Sequence, residues 1–125
     1  MLNEMKIDDY TRSERRKFVR IPFWFVTKYR LYPHKIPSGG DFRQGIGKNI
    51  STGGICFEAK DEFAKGSLLE IEIDMPALEH AVPLIGEIAW SRKQKGNDLY
   101  VIGMSFKKID PEDFEAVKKI IDTFA

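Results

Sequence analysis

Residues 69–75 read Leu-Glu-Ile-Glu-Ile-Asp-Met, the most regular alternation of apolar and acidic residues in the chain. Successive side chains on a β-strand point to opposite faces, so this pattern predicts a strand with one face in a core and the other in water. Pro76 ends the pattern, because proline has no backbone N–H to donate to a strand ladder.

Five further segments have the composition of strands. They are Ile21 to Leu31, Gln44 to Ile50, Ile55 to Ala59, Val82 to Arg92 and Leu99 to Lys107. Residues 32–42 are rich in proline and glycine and predict a loop, residues 95–98 predict a hairpin turn, and Gly86 predicts a bulge or bend. Strands joined at this regular spacing predict a six-stranded antiparallel β-barrel, a closure that leaves no exposed edge.

The C-terminal segment predicts one α-helix over residues 110–124. Asp110 suits the N-cap and Pro111 the first helical position. The apolar residues at helical spacing are Phe114, Val117, Ile120, Ile121 and Phe124. We expect this stripe to pack on the barrel; the alternative is a face for dimerisation or for a partner. The predicted fold class is all-β with a terminal helix. We expect the chain to consist of a flexible leader (residues 1–12) and a barrel domain (residues 13–125).

Composition restricts the class of protein. A chain of 125 residues, 42% hydrophobic and 31% charged, is typical of one soluble domain. Basic and acidic residues nearly balance at a net charge of +1, which argues against a surface built throughout for nucleic acid. The single cysteine, Cys56, excludes an internal disulfide and suits a reducing compartment. With neither a membrane-length apolar run nor a signal peptide, we expect a cytoplasmic protein without membrane insertion.

Catalysis is not indicated. His34 lies in the proline-rich loop and His80 beside Glu79, and neither has the spacing of a metal site or a catalytic triad. Ser51 lies in a glycine turn without the surrounding residues of a nucleophile elbow. We therefore expect a binding protein with no catalytic residue, metal or cofactor.

A cluster of cations precedes the first strand. Its members are Arg12, Arg15, Arg16, Lys17 and Arg20, with only Glu14 opposing them. Arg16 and Arg20 are four residues apart, which places both guanidiniums on the same side of a helical or extended backbone. Each guanidinium can bind a phosphate or the edge of a guanine through two parallel hydrogen bonds. The alternative is a solvated charged tail.

A polar turn follows the second predicted strand. Asn49 and Ser51 are two residues apart, so on an extended chain their side chains point the same way. Gly53 and Gly54 predict positive φ angles and a close approach of a ligand to the backbone. The alternative is a plain turn between strands, for which these residue types are common.

Together the two segments resemble the signature of a known family. Arg16-x-x-x-Arg20, followed about thirty residues later by Asn49-x-Ser51-x-x-Gly54, is similar to the motifs of the PilZ domain, a bacterial receptor for cyclic di-GMP. The resemblance covers most of the chain. Asn49 stands where many members have aspartate.

Later segments extend the resemblance. Arg15 precedes the first motif, Trp90 closes a later strand, and residues 102–106, Ile-Gly-Met-Ser-Phe, are similar to the family's closing strand. By this resemblance Arg15 belongs to members that hold two intercalated ligand molecules. Trp90 is expected to flank the ligand as an apolar wall, the alternative being a core tryptophan.

The resemblance implies a role for each motif residue. Arg16 and Arg20 would bind phosphate and guanine, Asn49 and Ser51 would reach a second base, and Gly54 would leave space. The candidate ligand-binding residues are Arg15, Arg16, Arg20, Asn49, Ser51, Gly53, Gly54 and Trp90.

The expected mechanism couples ligand binding to ordering of the arginine-rich N-terminal segment, which then signals to a separate partner protein. Outputs of the family include motility, adhesion and exopolysaccharide synthesis. The alternative function is a small-barrel RNA or single-strand-binding protein in which Phe23, Trp24 or Phe25 stacks bases. A structural adaptor that binds no nucleotide is a third possible function.

Overall fold

The structure, a computed structural model, describes residues 21–33 and 41–124. The elements in chain order are β1 (Ile21–Leu31), β2 (Arg43–Ile50), β3 (Gly54–Ala59), β4 (Leu68–Asp74), β5 (Val82–Lys93), β6 (Tyr100–Ile109) and the helix α1 (Pro111–Phe124). The strands form a closed antiparallel barrel in the order β1-β2-β3-β6-β5-β4. This confirms the predicted fold class. The predicted leader, residues 1–12, lies outside the described residues, as do Arg15, Arg16 and Arg20.

The barrel interior is filled by alternate side chains of the strands. In β4, Leu69, Ile71 and Ile73 are each 0% exposed, whereas Glu70 and Glu72 are half-buried on the outer wall. The alternation predicted from residues 69–75 is therefore confirmed. Full burial of an aliphatic side chain contributes about 1.5–3 kcal/mol, which explains why this register is favoured over a shifted one.

Helix α1 is capped and packed as its sequence predicts. The Asp110 Oδ1 accepts a hydrogen bond from the Glu112 N–H at 2.9 Å. Val117, Ile120 and Ile121 are buried within the core cluster. Phe124, by contrast, is 55% exposed, so its expected packing on the barrel is wrong: as the last residue of the helix it lies beyond the core. Within residues 21–33 and 41–124, no helix is long and apolar enough to cross a membrane.

The two ends of the barrel differ in the β1–β2 residue pairs that lie there. At one end Ile21, the first residue of β1, pairs with Ile50, the last residue of β2. The turn after Ile50 therefore lies beside the point where the chain enters the barrel. At the other end Tyr29 pairs with Arg43.

A buried tyrosine secures this second end. The Tyr29 hydroxyl donates to the Asp61 Oδ2 at 2.6 Å, and Arg43 Nε lies 2.8 Å from the same oxygen. Burial of the ring, together with the hydrogen bond to the Asp61 carboxylate, raises the pKa of Tyr29 well above its usual range. The network ties the segment after β3 to β1 and β2.

The strand ladders shift register at several places. The shifts lie between Pro22 and Phe25 in β1, between Gly47 and Asn49 in β2, and between Ile85 and Gly86 and between Ile88 and Trp90 in β5. The shift at Gly86 lies at the predicted position, but the extra residue belongs to the partner strand β6, because Ile85 and Gly86 are consecutive while their partners Lys108 and Phe106 are two residues apart. A bulge bends its strand and re-aims the neighbouring side chains. The shifts beside Asn49 and Trp90 thus affect the direction of two candidate ligand-binding residues.

Candidate ligand-binding site

The turn between β2 and β3 is organised by its serine. Ser51 is 0% exposed, its N–H donates to the Gly54 carbonyl at 2.9 Å, and its hydroxyl accepts from the Gly53 N–H at 3.1 Å. The Gly53 carbonyl in turn accepts from the Phe106 N–H at 2.9 Å, which fastens the turn to β6. The structure therefore shows Ser51 inside the turn, where it holds the turn closed two residues after Asn49.

The glycines of the turn do not have the backbone conformation that the sequence predicts. Neither Gly53 nor Gly54 has a positive φ angle, so that prediction is wrong. A Cβ atom on Gly54 would overlap the carbonyl oxygen of Met104, because β3 and β6 approach closely where Gly54 pairs with Ser105. Glycine is required at this position by backbone packing.

One row of paired residues crosses four strands. Asn49 of β2 pairs with Cys56 of β3, Cys56 with Gly103 of β6, and Gly103 with Trp90 of β5. Directly paired residues share a face of the sheet, and Asn49, Cys56 and Trp90 all lie outside the core cluster. Asn49 and Trp90 therefore lie on the same outer face, separated by three strand spacings, or about 14 Å along the sheet.

Trp90 lies flat on this outer face. It is half-buried, and its indole covers Gly103, where a Cβ atom would overlap the ring. The guanidinium carbon of Arg92 lies 5.1 Å from the centroid of the Trp90 ring. The alternative of a core tryptophan is wrong. The location agrees with an aromatic residue that flanks a ligand, and that role stays a prediction.

A second aromatic residue lies beside Asn49. Trp24 is 70% exposed, and the Lys48 ammonium is 4.6 Å from the centroid of its ring. The sequence indicates Trp24 only for the nucleic-acid alternative and does not single out Lys48. The one local signal for Lys48 is that it immediately precedes Asn49. Its contact with the Trp24 ring depends on the shifted register of β1 and β2, which has no local pattern in the sequence.

Five of the eight candidate residues lie in the described part of the chain, and they occupy two neighbouring places. Asn49 and Trp90 share the outer face, and Ser51, Gly53 and Gly54 build the turn that adjoins it. The three arginines lie outside the described residues. In the part of the chain that the structure describes, no group of three or more acidic, histidine or cysteine side chains is arranged to hold a metal ion.

The fold matches solved structures. The Bacillus subtilis inhibitor of motility, MotI/DgrA, aligns with a TM-score of 0.68 at 19% identity, over 85% of this chain and 48% of that one. The PilZ domain of YcgR from Escherichia coli, solved with c-di-GMP, aligns with a TM-score of 0.65 at 13% identity, over 88% of this chain and 91% of that one. The K. pneumonia MrkH–c-di-GMP complex aligns with a TM-score of 0.61 at 15% identity, over 87% and 51%.

These identities are low, so the likeness establishes the fold alone. The chain spans about half the length of MotI/DgrA and of MrkH. No curated protein sequence matches the chain. The model of the PilZ domain family, however, matches residues 14–123, which include the six strands and all but the last residue of α1. The chain therefore belongs to the PilZ domain family.

Proposed function

We propose that this protein is a receptor for cyclic di-GMP, which it binds between its arginine-rich segment, residues 13–20, and the outer face that contains Asn49. Membership of the PilZ family supports this proposal. So does the likeness to the YcgR domain and to MrkH, both of which were solved with c-di-GMP.

The pairing of Ile21 with Ile50 is the observation that supports the proposal most strongly. Arg20 is bonded to Ile21, and paired Cα atoms in an antiparallel ladder are about 5 Å apart. Connectivity alone therefore holds the Arg20 Cα within about 10 Å of the Ile50 Cα. Arg16 is four residues further along, a reach of at most about 14 Å. A barrel in which β1 began at the opposite end would have contradicted the proposal.

The chemistry of the two parts is complementary to the ligand. Cyclic di-GMP has two phosphates and two guanine edges, and the guanidiniums of Arg16 and Arg20 suit both groups. Such charge-assisted hydrogen bonds contribute about 1.5–3 kcal/mol each. Asn49 offers an amide donor and acceptor to a base edge. Ser51 and Gly54 act by fixing the turn on which Asn49 depends.

Ligand binding in this proposal fixes residues 13–20 against the barrel. Ordering a segment costs free energy, so the affinity is moderate, and the ordered segment forms a new surface for a separate partner protein. Arg15 enlarges the cationic site for a second ligand molecule.

Calorimetric titration of the chain with cyclic di-GMP, cyclic di-AMP and GTP tests the function. We expect heat with cyclic di-GMP and little with the others. Equal heat with all three, or none with cyclic di-GMP, would contradict the proposal. Length-dependent binding to single-stranded oligonucleotides would favour the nucleic-acid alternative instead.

Variants of the segment test its role in the same assay. Arg16→Ala and Arg20→Ala are each expected to weaken binding by about ten- to a hundredfold, whereas Lys95→Ala, an exposed cation in the β5–β6 hairpin, should bind like the parent. Arg15→Ala should lower the ligand-to-protein ratio. An unchanged ratio would contradict the role given to Arg15.

A further inference from the structure

Trp24 is exposed to an unusual degree for so large an apolar side chain. Its exposed fraction is 70%, the highest among the large hydrophobic residues of the described chain. Tryptophan is enriched at binding interfaces, because its large apolar ring system has one polar N–H. The contacts proposed above for the arginines and Asn49 make no use of this side chain.

A salt-bridged lysine holds one side of the indole. The Lys48 ammonium lies 4.6 Å from the centroid of the Trp24 ring and 3.5 Å from the Glu58 Oε2. That carboxylate oxygen also accepts a hydrogen bond from the Gln94 Nε2 at 2.6 Å. The Lys48 ammonium is thus held between the Trp24 ring and the Glu58 carboxylate. An indole with a cation fixed on one face and most of its surface in water offers its other face for stacking.

The position of Trp24 suits a ligand held by Asn49. Asn49 pairs with Pro22, and Trp24 follows two residues later on the same strand. Because the β1–β2 register shifts between Pro22 and Phe25, the two residues are linked through Lys48, which precedes Asn49 and whose ammonium lies over the Trp24 ring. Lys48 and Asn49 lie on one side of Trp24, and the exposed Val26 and Lys28 follow on the same face of β1. A planar, anionic ligand fits these surroundings better than an apolar protein surface does.

We propose that Trp24 is a stacking platform for one guanine of cyclic di-GMP, with Lys48 retained on the opposite face of the indole. The inference rests on the proposed function and adds a residue outside the two motifs. The base lies on the open face of the indole while its edge is directed towards Asn49.

Calorimetry with variants of Trp24 tests the inference. Stacking of a base on an aromatic side chain corresponds to about 5- to 150-fold in affinity, so Trp24→Ala is expected to weaken cyclic di-GMP binding by such a factor. Trp24→Phe should retain most of the affinity, because phenylalanine keeps an aromatic face. Val26→Ala is the matched control, since Val26 is 37% exposed on the same outer face of β1, and it should bind like the parent.

An NMR measurement on the parent protein tests the same contact while the ligand stays bound. The chain has two tryptophans, so protein labelled with ¹⁵N-tryptophan gives two indole N–H signals. The signal that disappears in Trp24→Phe belongs to Trp24. We expect saturating cyclic di-GMP to shift the Trp24 signal upfield through the ring current of the stacked guanine.

The outcomes separate the inference from the function on which it rests. A parent that binds cyclic di-GMP while Trp24→Ala binds equally well overturns the stacking role and leaves the receptor function intact. An unshifted Trp24 signal at saturation overturns it as well. A parent that binds no cyclic di-GMP overturns both.

Discussion

The hydroxyl of Ser51 accepts a hydrogen bond from the N–H of Gly53 at 3.1 Å, in a turn where the serine is completely buried. The motif serine of this chain is therefore part of the framework of the β2–β3 turn. In the proposed receptor, a residue of this kind would affect ligand binding through the stability of the turn, and experiment can separate this effect from direct contact.

Ser51→Ala is expected to lower the free energy of unfolding by about 0.5–1.5 kcal/mol, because the Gly53 N–H loses its acceptor. Denaturant unfolding of the ligand-free chain measures the change. Thr52→Ala, half-buried in the same turn, is the control and should have a smaller effect. A Ser51→Ala variant as stable as the parent would show that the hydroxyl does not hold the turn.

Gly54→Ala is expected to destabilise the fold by about 1–3 kcal/mol. The new Cβ meets the Met104 carbonyl oxygen, and backbone atoms of two paired strands cannot separate without loss of the ladder. Thermal unfolding followed by circular dichroism measures the change. Ser105→Ala alters the paired residue without adding an atom near Met104 and serves as control. A Gly54→Ala melting curve that coincides with that of the parent would rule out the packing explanation.

A double-mutant cycle tests the contact between Gly103 and Trp90. Gly103→Ala pushes the indole off the outer face, so it should destabilise the parent more than it destabilises a Trp90→Ala background, where no ring lies over the glycine. We expect a coupling free energy of about 0.5–3 kcal/mol from the four unfolding curves. Additive effects would mean that the ring does not rest on Gly103.

Stability at alkaline pH depends on Tyr29. The folded state raises the pKa of this tyrosine above its ordinary value of 10.0, so its contribution is complete below that pH and is lost as pH rises above it. The parent should lose up to about 1.4 kcal/mol more per pH unit than Tyr29→Phe in this range. Denaturant unfolding between pH 8 and about 11 gives the difference, and Tyr32→Phe, at an exposed tyrosine, should behave like the parent. Parallel pH curves for the parent and Tyr29→Phe would contradict the assignment.

The regular elements could be predicted from the sequence because their signals are local. The alternation in residues 69–75 fixes which side of β4 is buried, and Asp110 with Pro111 fixes where α1 begins. The six strands and their antiparallel closure follow from patterns of this kind, repeated at regular spacing.

The geometry of the site could not be predicted, because it depends on how the strands pair. The shift between Gly47 and Asn49 directs a side chain of β2, and the shift before Trp90 does the same in β5, yet neither position has a local mark in the sequence. The burial of Ser51 and the contact of Lys48 with Trp24 likewise arise from neighbours that are distant along the chain.

Hydrogen exchange with and without cyclic di-GMP tests the central claim most directly, namely that residues 13–20 and the Asn49 turn close on the same ligand. We predict that saturating cyclic di-GMP slows exchange in residues 13–20, with no change in the hairpin at residues 94–98 and no effect of cyclic di-AMP. Exchange in residues 13–20 that stays as fast with bound cyclic di-GMP as without it would contradict the account.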